Sequence, residues 1–257
     1  MAKHSKILAV DLGNTRCLFA EISSGKKLKT YQISTQAATA EKIIRDLKIK
    51  FSLKTIQAVV IASVVPKLGN DLRKKIPLHL GLQTVLLGKD LRVPIVNRYR
   101  NPKQVGMDRL VNAYAAFRKY RRACVILDFG TAITFDALSS KGEYLGGVIA
   151  PGIEISLEAL FQKTALLPKI RLKHPRRSVI GRDTVESIRI GCSMGIGGLC
   201  DRLTLKLKKA LGSKTLVIAT GGYARFMKRY CLTIDRIDPD LTLRGIWLTT
   251  LSNLDNI

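Results

Sequence analysis

The chain has 257 residues, 46% hydrophobic and 25% charged, a balance that suits a folded globular protein and excludes a disordered one. No run approaches the ~20 apolar residues of a membrane helix, residues 1–6 lead into too short an apolar run for a signal peptide, and the five scattered cysteines never form a Cys-x-x-Cys pair. These features predict a cytoplasmic protein with reduced thiols, and with His4, His79 and His174 far apart no zinc site is expected. The net charge of +25 is large, and it fits either a solvated basic surface or a patch for polyanions such as ATP or nucleic acid.

In chain order, residues 6–35 read as a three-stranded meander that turns at Ser23, Ser24 and Gly25. Residues 39–50 show a helical pattern with Ile43, Ile44 and Leu47 on one face. Residues 58–61 are a buried strand, and Pro66 starts a helix expected to end near Pro77. A strand at 84–87 and a loop at 99–106, broken by Pro102 and Gly106, lead to a helix from Asp108 to about Tyr120. The second half repeats the plan. A strand, hairpin and strand run from Cys124 to Leu138, and a turn at 141–143 enters a strand at 144–150. Then follow a helix at 152–163, a basic loop to about Arg182, and a helix over 184–210. A strand at 215–219, a helix over 222–230 and a last helix from Gly245 complete the chain. This order predicts two α/β domains of one duplicated type, 1–120 and 121–257.

The turns that open the two halves carry the same motif. Asp11, Gly13, Asn14 and Thr15 follow one apolar run, and Asp128, Gly130 and Thr131 follow another. Strand, Asp-x-Gly, small polar residue, strand is a hairpin signature. Glycine allows the bend and lets an anion approach the backbone, Asn or Thr adds donors, and Asp offers hard oxygen to a hydrated Mg²⁺ or a monovalent cation. One such turn is no more than ordinary turn capping; two suggest nucleotide phosphates clamped between duplicated domains. The glycines between 191 and 198 lack a preceding strand and so do not make a dinucleotide fingerprint. Close packing of that helix, in this chain or across a subunit boundary, explains them better.

Five spaced motifs together resemble type III pantothenate kinases: Asp11-Leu12-Gly13-Asn14-Thr15, Gly106-Met107-Asp108-Arg109, Asp128-Phe129-Gly130-Thr131-Ala132, Gly146 through Gly152, and Thr220-Gly221-Gly222. The resemblance extends to residues 238–245 and implies the actin-like ATPase superfamily, with two ribonuclease-H-like domains and a cleft between them. It implies ATP-dependent phosphorylation of pantothenate to 4′-phosphopantothenate, the first step toward coenzyme A. It also implies a homodimer with the substrate site at the interface.

By the same resemblance the nucleotide is held by Asp11, Leu12, Gly13, Asn14, Thr15, Arg16, Cys17 and Leu18, with Thr131, Gly221 and Gly222. Asp11 holds Mg²⁺, and Asp128 helps bind K⁺ or NH₄⁺. Tyr99, Gly106, Met107, Asp108 and Arg109 contact pantothenate, and Thr184 reaches it from a second subunit. The residues themselves support parts of this. Asp108, ionised at an ordinary pKa of ~3.9, suits a general base, and the Arg109 guanidinium suits a substrate carboxylate. Plainer readings stand beside these: Asp108 as a helix cap, Arg109 as a surface charge, Thr184 as a helix-start residue, and Gly221-Gly222 as a strand-to-helix turn. Arg16 departs from the family's smaller polar residue. A nucleic-acid-binding transcription accessory protein with a vestigial site is the alternative, opposed by the presence of Asp11, Asp108, Arg109, Asp128 and Thr131.

Overall fold

Strand β1 (Lys6–Leu12) is buried along most of its length and pairs antiparallel with β2 (Arg16–Ser23), which pairs in turn with β3 (Lys26–Ser34). The computed structural model describes residues 6–172 and 179–253; His4, His174 and the Arg176–Arg177 part of the expected basic loop lie outside them. Strand β3 is an edge strand whose Lys26, Lys27 and Lys29 keep the open edge from recruiting another chain. On the other side of β1, β4 (Ala58–Ser63) and β5 (Gln83–Leu86) run parallel, giving the order β3–β2–β1–β4–β5. Helices α1 (Ala40–Lys50) and α2 (Pro66–Leu80) supply Ile43, Leu47, Leu72 and Ile76 to a core shared with Leu8, Val10, Phe19 and Ile61. Each such side chain contributes about 1.5–3 kcal/mol on burial. A two-residue strand β6 (Val96–Asn97) and helix α3 (Met107–Tyr120) follow.

The second unit repeats this topology. Strands β7 (Cys124–Phe129), β8 (Ala132–Leu138) and β9 (Glu143–Pro151) form the meander. Strands β10 (Leu216–Thr220) and β11 (Arg236–Ile237) run parallel beyond β7, giving β9–β8–β7–β10–β11. Between β9 and β10 lie α4 (Ile153–Lys163), α5 (Thr184–Ile190) and α6 (Ile196–Leu211), and α7 (Ala224–Met227) precedes β11. Both units are thus α/β and ribonuclease-H-like, as expected.

Several boundaries differ from the sequence reading. One compact unit holds the chain up to Lys119 together with the stretch from Asp240, and the other is Tyr120–Pro239. The final helix, α8 (Leu241–Leu251), therefore belongs to the first unit and not to a domain spanning 121–257. The reason is packing: α8 lies against β1 and β4, Gly245 meets the backbone of Val111 on α3, and Trp247 meets Gly25. The helix begins at Leu241, before the expected Gly245. Helix α2 runs through Pro77 to Leu80 and ends at Gly81, whose φ of +64° lets its amide cap the Pro77 carbonyl at 3.0 Å.

The helix expected over 184–210 is interrupted by a π-helical stretch, Gly191–Gly195, where the Ser193 hydroxyl donates back to the Arg189 carbonyl at 2.7 Å. The close-packing explanation holds at Gly197, where a Cβ would lie 2.8 Å from Tyr230 Cβ in the same unit. The helix expected over 222–230 shrinks to the four residues of α7.

Candidate active site

In the first unit the candidate residues gather where β1 and β4 end and α3 begins. The β1–β2 pairing closes at Leu12 opposite Cys17, and the Gly13 amide donates to the Arg16 carbonyl at 3.0 Å. Gly13 does not adopt a positive φ, so the bend itself does not demand glycine, contrary to expectation. A Cβ there would crowd the Arg16 carbonyl at 3.1 Å. Asn14, Thr15 and Arg16 are exposed at the tip, while Leu12 and Cys17 are fully buried in the core. Of the proposed nucleotide contacts, those two can offer backbone groups only; Leu18, on the opposite face of β2 from Cys17, is half-buried.

Thr35 braces this turn and was not evident in the sequence. Its hydroxyl donates to the Gly13 carbonyl at 2.7 Å and lies 3.3 Å from Cys17 Sγ, and its amide donates to the Thr15 carbonyl at 3.0 Å. The only sequence signal is a hydroxyl residue just after β3, whose last residue, Ser34, pairs with Arg16. On the other side, the Val64 amide donates to the Leu12 carbonyl at 3.0 Å and ties the end of β4 to the turn.

Asp108 sits in the first turn of α3, where its Oδ1 accepts from the Arg109 amide at 2.8 Å. The carboxylate folds back over Gly106: a Cβ at 106 would lie 2.5 Å from Asp108 Oδ1 and 3.2 Å from Val64 Cγ1. Met107 packs its sulfur where a Cβ on Gly88 would come within 2.7 Å, and Arg109 is buried. Tyr99, half-buried, donates its amide to Asn97 Oδ1 at 3.0 Å, in the segment leading to this helix.

The two carboxylates feel each other. Burial, and next the charge of Asp108, push Asp11 from 3.8 up to about 7, with Arg16 pulling the other way. Burial also pushes Asp108 above its ordinary value, against the Arg109 amide and guanidinium. Asp108 therefore does not behave as the ordinary aspartate the sequence suggested, and Asp11 shares its upward shift. A pair of acids with raised pKa values is a mark of a functional site.

The second unit assembles a different group. Asp128 stands near the end of β7, opposite Thr134 on β8 and Thr220 on β10. Gly221 has a φ of +89°, and a Cβ there would overlap the Asp128 carboxylate and lie 2.7 Å from the Phe129 amide nitrogen. Gly152, at the start of α4, presses on the turn: a Cβ would overlap the Thr131 carbonyl and lie 2.7 Å from its carbon. Gly221 is thus needed by the turn's own backbone, a reason other than the nucleotide contact expected from sequence. A side chain at Gly130 would meet only ordinary contacts, the nearest at 3.6 Å, which leaves its backbone accessible. Gly222 is exposed beyond β10. Thr184 is exposed at the start of α5, behind the Asp183 cap that accepts from the Glu186 amide at 2.8 Å.

Comparison with known proteins bears on both groups. The profile described as type III pantothenate kinase matches residues 7–206. A protein of Moorella thermoacetica named type III pantothenate kinase is 41% identical over 247 residues, covering 93% of this chain and 96% of its own. The chain belongs to the type III pantothenate kinase family. A second relative of that name, from Syntrophus aciditrophicus, is 38% identical over 94% of this chain and 97% of its own. Among solved structures, a conserved putative Baf family transcriptional activator from Campylobacter jejuni aligns with a TM-score of 0.62 at 20% identity, over 97% of this chain and all of that one. A putative 2-dehydro-3-deoxygalactonokinase from Sinorhizobium meliloti aligns at 0.57 and 10% identity, over 96% and 98%. At these identities the structures speak for the fold alone, which this kinase family shares with both.

Proposed function

We propose that the chain transfers the terminal phosphoryl group of ATP to the terminal hydroxyl of pantothenate, giving 4′-phosphopantothenate, the first step toward coenzyme A. One observation carries the reading: in a member of this kinase family, Asp11 and Asp108 are placed close enough that the charge of one raises the pKa of the other. Phosphoryl transfer asks for positioning and charge neutralisation more than for strong base catalysis. Asp108 orients the hydroxyl and takes its proton late in the transfer, and its raised pKa makes it a better acceptor. Arg109 pairs with the pantothenate carboxylate, and Tyr99, Gly106 and Met107 complete the contacts to pantothenate. The turn at 11–18 and Thr131 donate to the phosphates, while Gly221 and Gly222 line the nucleotide.

The donor set fits a hydrated Mg²⁺ at Asp11. Asp11 would supply one carboxylate, with water and phosphate oxygens in the other positions. That is the usual coordination of Mg²⁺. Bound there, it would neutralise charge on the phosphates. Asp128 is the proposed ligand of K⁺ or NH₄⁺.

The proposal includes a homodimer in which Thr184 completes the pantothenate site from a second subunit. Exposed Met194, Leu199 and Leu205 on the 191–211 segment support it. A fully active monomer in sedimentation at nanomolar concentration rules it out. It also places the enzyme in the cytoplasm, supported by five buried, free cysteines. Among the described residues no helix is long and apolar enough to cross a membrane. The accessory-protein alternative is not favoured.

The deciding experiment is ATP-dependent phosphorylation of pantothenate with K⁺ or Na⁺ at fixed ionic strength. Product formation with a preference for K⁺ is expected. No phosphorylation overturns the assignment, whereas equal rates in the two salts remove only the cation from Asp128.

A further inference from the structure

At the end of the second sheet away from Asp128, β7 and β10 begin side by side, Cys124 opposite Leu216. A concavity of about 420 Å³ opens there, lined by the cations Arg122, Lys208, Lys214 and Arg236 and the hydroxyl residues Ser213 and Thr215. Four of its eight lining residues are cations, against 44 Lys and Arg among 257 in the chain. Roughly 13 Å of strand separates it from the Asp128 turn.

The rim is built, not merely crowded. The Arg122 guanidinium donates to the Lys214 carbonyl. The Gly212 amide donates to the Lys208 carbonyl at 2.8 Å, and the Thr215 hydroxyl to the Gly212 carbonyl at 2.6 Å, so the loop carrying Ser213 and Lys214 is fixed at both ends. The one lining carboxylate, Asp235, accepts from the Val217 amide at 2.8 Å. Lys208, Lys214 and Arg236 make no ion pair among the described residues. Four cations against one carboxylate leave the lining net positive, which favours an anion.

We propose that this concavity binds the phosphate groups of a small phosphorylated or polyphosphate anion, at a site separate from the nucleotide-binding turns. Guanidinium, ammonium and hydroxyl donors together suit the several oxygens of phosphate. No aromatic side chain lines it, so it lacks the stacking platform that single-stranded nucleic acid uses.

The test is calorimetric titration of inorganic tripolyphosphate into the full-length protein, with the nucleotide turns saturated by a non-hydrolysable ATP analogue. One further equivalent is expected, weakened about 10–100-fold by K208Q/R236Q with pantothenate phosphorylation unchanged. K54Q/K67Q removes the same charge from the other unit and leaves binding intact. Absence of the further equivalent overturns the proposal, as does equal weakening by the two double variants. Preferential binding of single-stranded RNA in place of tripolyphosphate overturns it too.

Discussion

The two hairpin turns share a motif and a place in the topology, yet they are held in opposite ways. The first closes at Leu12 opposite Cys17 and is braced by hydrogen bonds from Thr35, with its tip exposed. The second closes one residue tighter, at Phe129 opposite Ile133, and is wedged by Gly152 and Gly221, which leave no room for a side chain. The polar brace sits beside the electrostatically strained Asp11–Asp108 pair, and the steric wedge sits beside Asp128. Duplication preserved the strand pairing and left the supports free to diverge.

The comparison is sharpened first at Asp108. Asp108→Asn keeps the shape and removes the proton acceptor, so steady-state turnover is expected to fall about 10²–10⁴-fold while calorimetry shows nucleotide binding retained. Turnover near that of the unmodified protein would remove Asp108 from the chemistry. The wedge is tested next. Gly152→Ala and Gly221→Ala each force a Cβ onto backbone, the latter also at positive φ, and are expected to cost about 2–4 kcal/mol in denaturant melts. Gly13→Ala, with its nearest contact at 3.1 Å, should cost about 1 kcal/mol or less. Equal losses at the three positions would break the distinction between brace and wedge.

The electrostatic side has a definite sign. The folded-state pKa of Asp11 is raised, so the fold favours its protonated form, and that stability is fully present below about 3.8 and lost as pH rises through about 7. Asp11→Asn should match the unmodified protein near pH 4 and exceed it by about 1–3 kcal/mol near pH 8 in metal-free buffer, discounted for partial exposure. A variant less stable than the unmodified protein near pH 8 would contradict the strain. The smallest effect is Thr35→Val, expected to cost about 1 kcal/mol through the lost bond to Gly13 and to weaken nucleotide binding a few-fold. Unchanged affinity would leave Thr35 a purely structural residue.

The turns and the meanders they open were legible because Asp-x-Gly between apolar runs is a local signal. The supports were not, because they come from distant residues. Nothing around Thr35 says that its hydroxyl will reach Gly13, and Gly152, which reads as the start of a helix, gives no sign that it will press on the Thr131 carbonyl. Pro77 reads as a stop signal, whereas Gly81 ends α2, since a proline one turn from the end interrupts little. The raised pKa values were hidden for the same reason: they depend on burial and on a neighbour nearly a hundred positions along the chain. The π-helical stretch and the allegiance of α8 are likewise decided by tertiary packing.

That allegiance bears on how the chain emerges from the ribosome. The second unit is one contiguous stretch, whereas the first lacks α8 until the whole of the second has been made. The usual N-terminal-first order of vectorial folding is therefore reversed in its final step: the later unit can be complete while the earlier one still waits. Trp247, the sole tryptophan, arrives with that helix and is buried at 7% exposure, so its emission reports the moment the first unit closes.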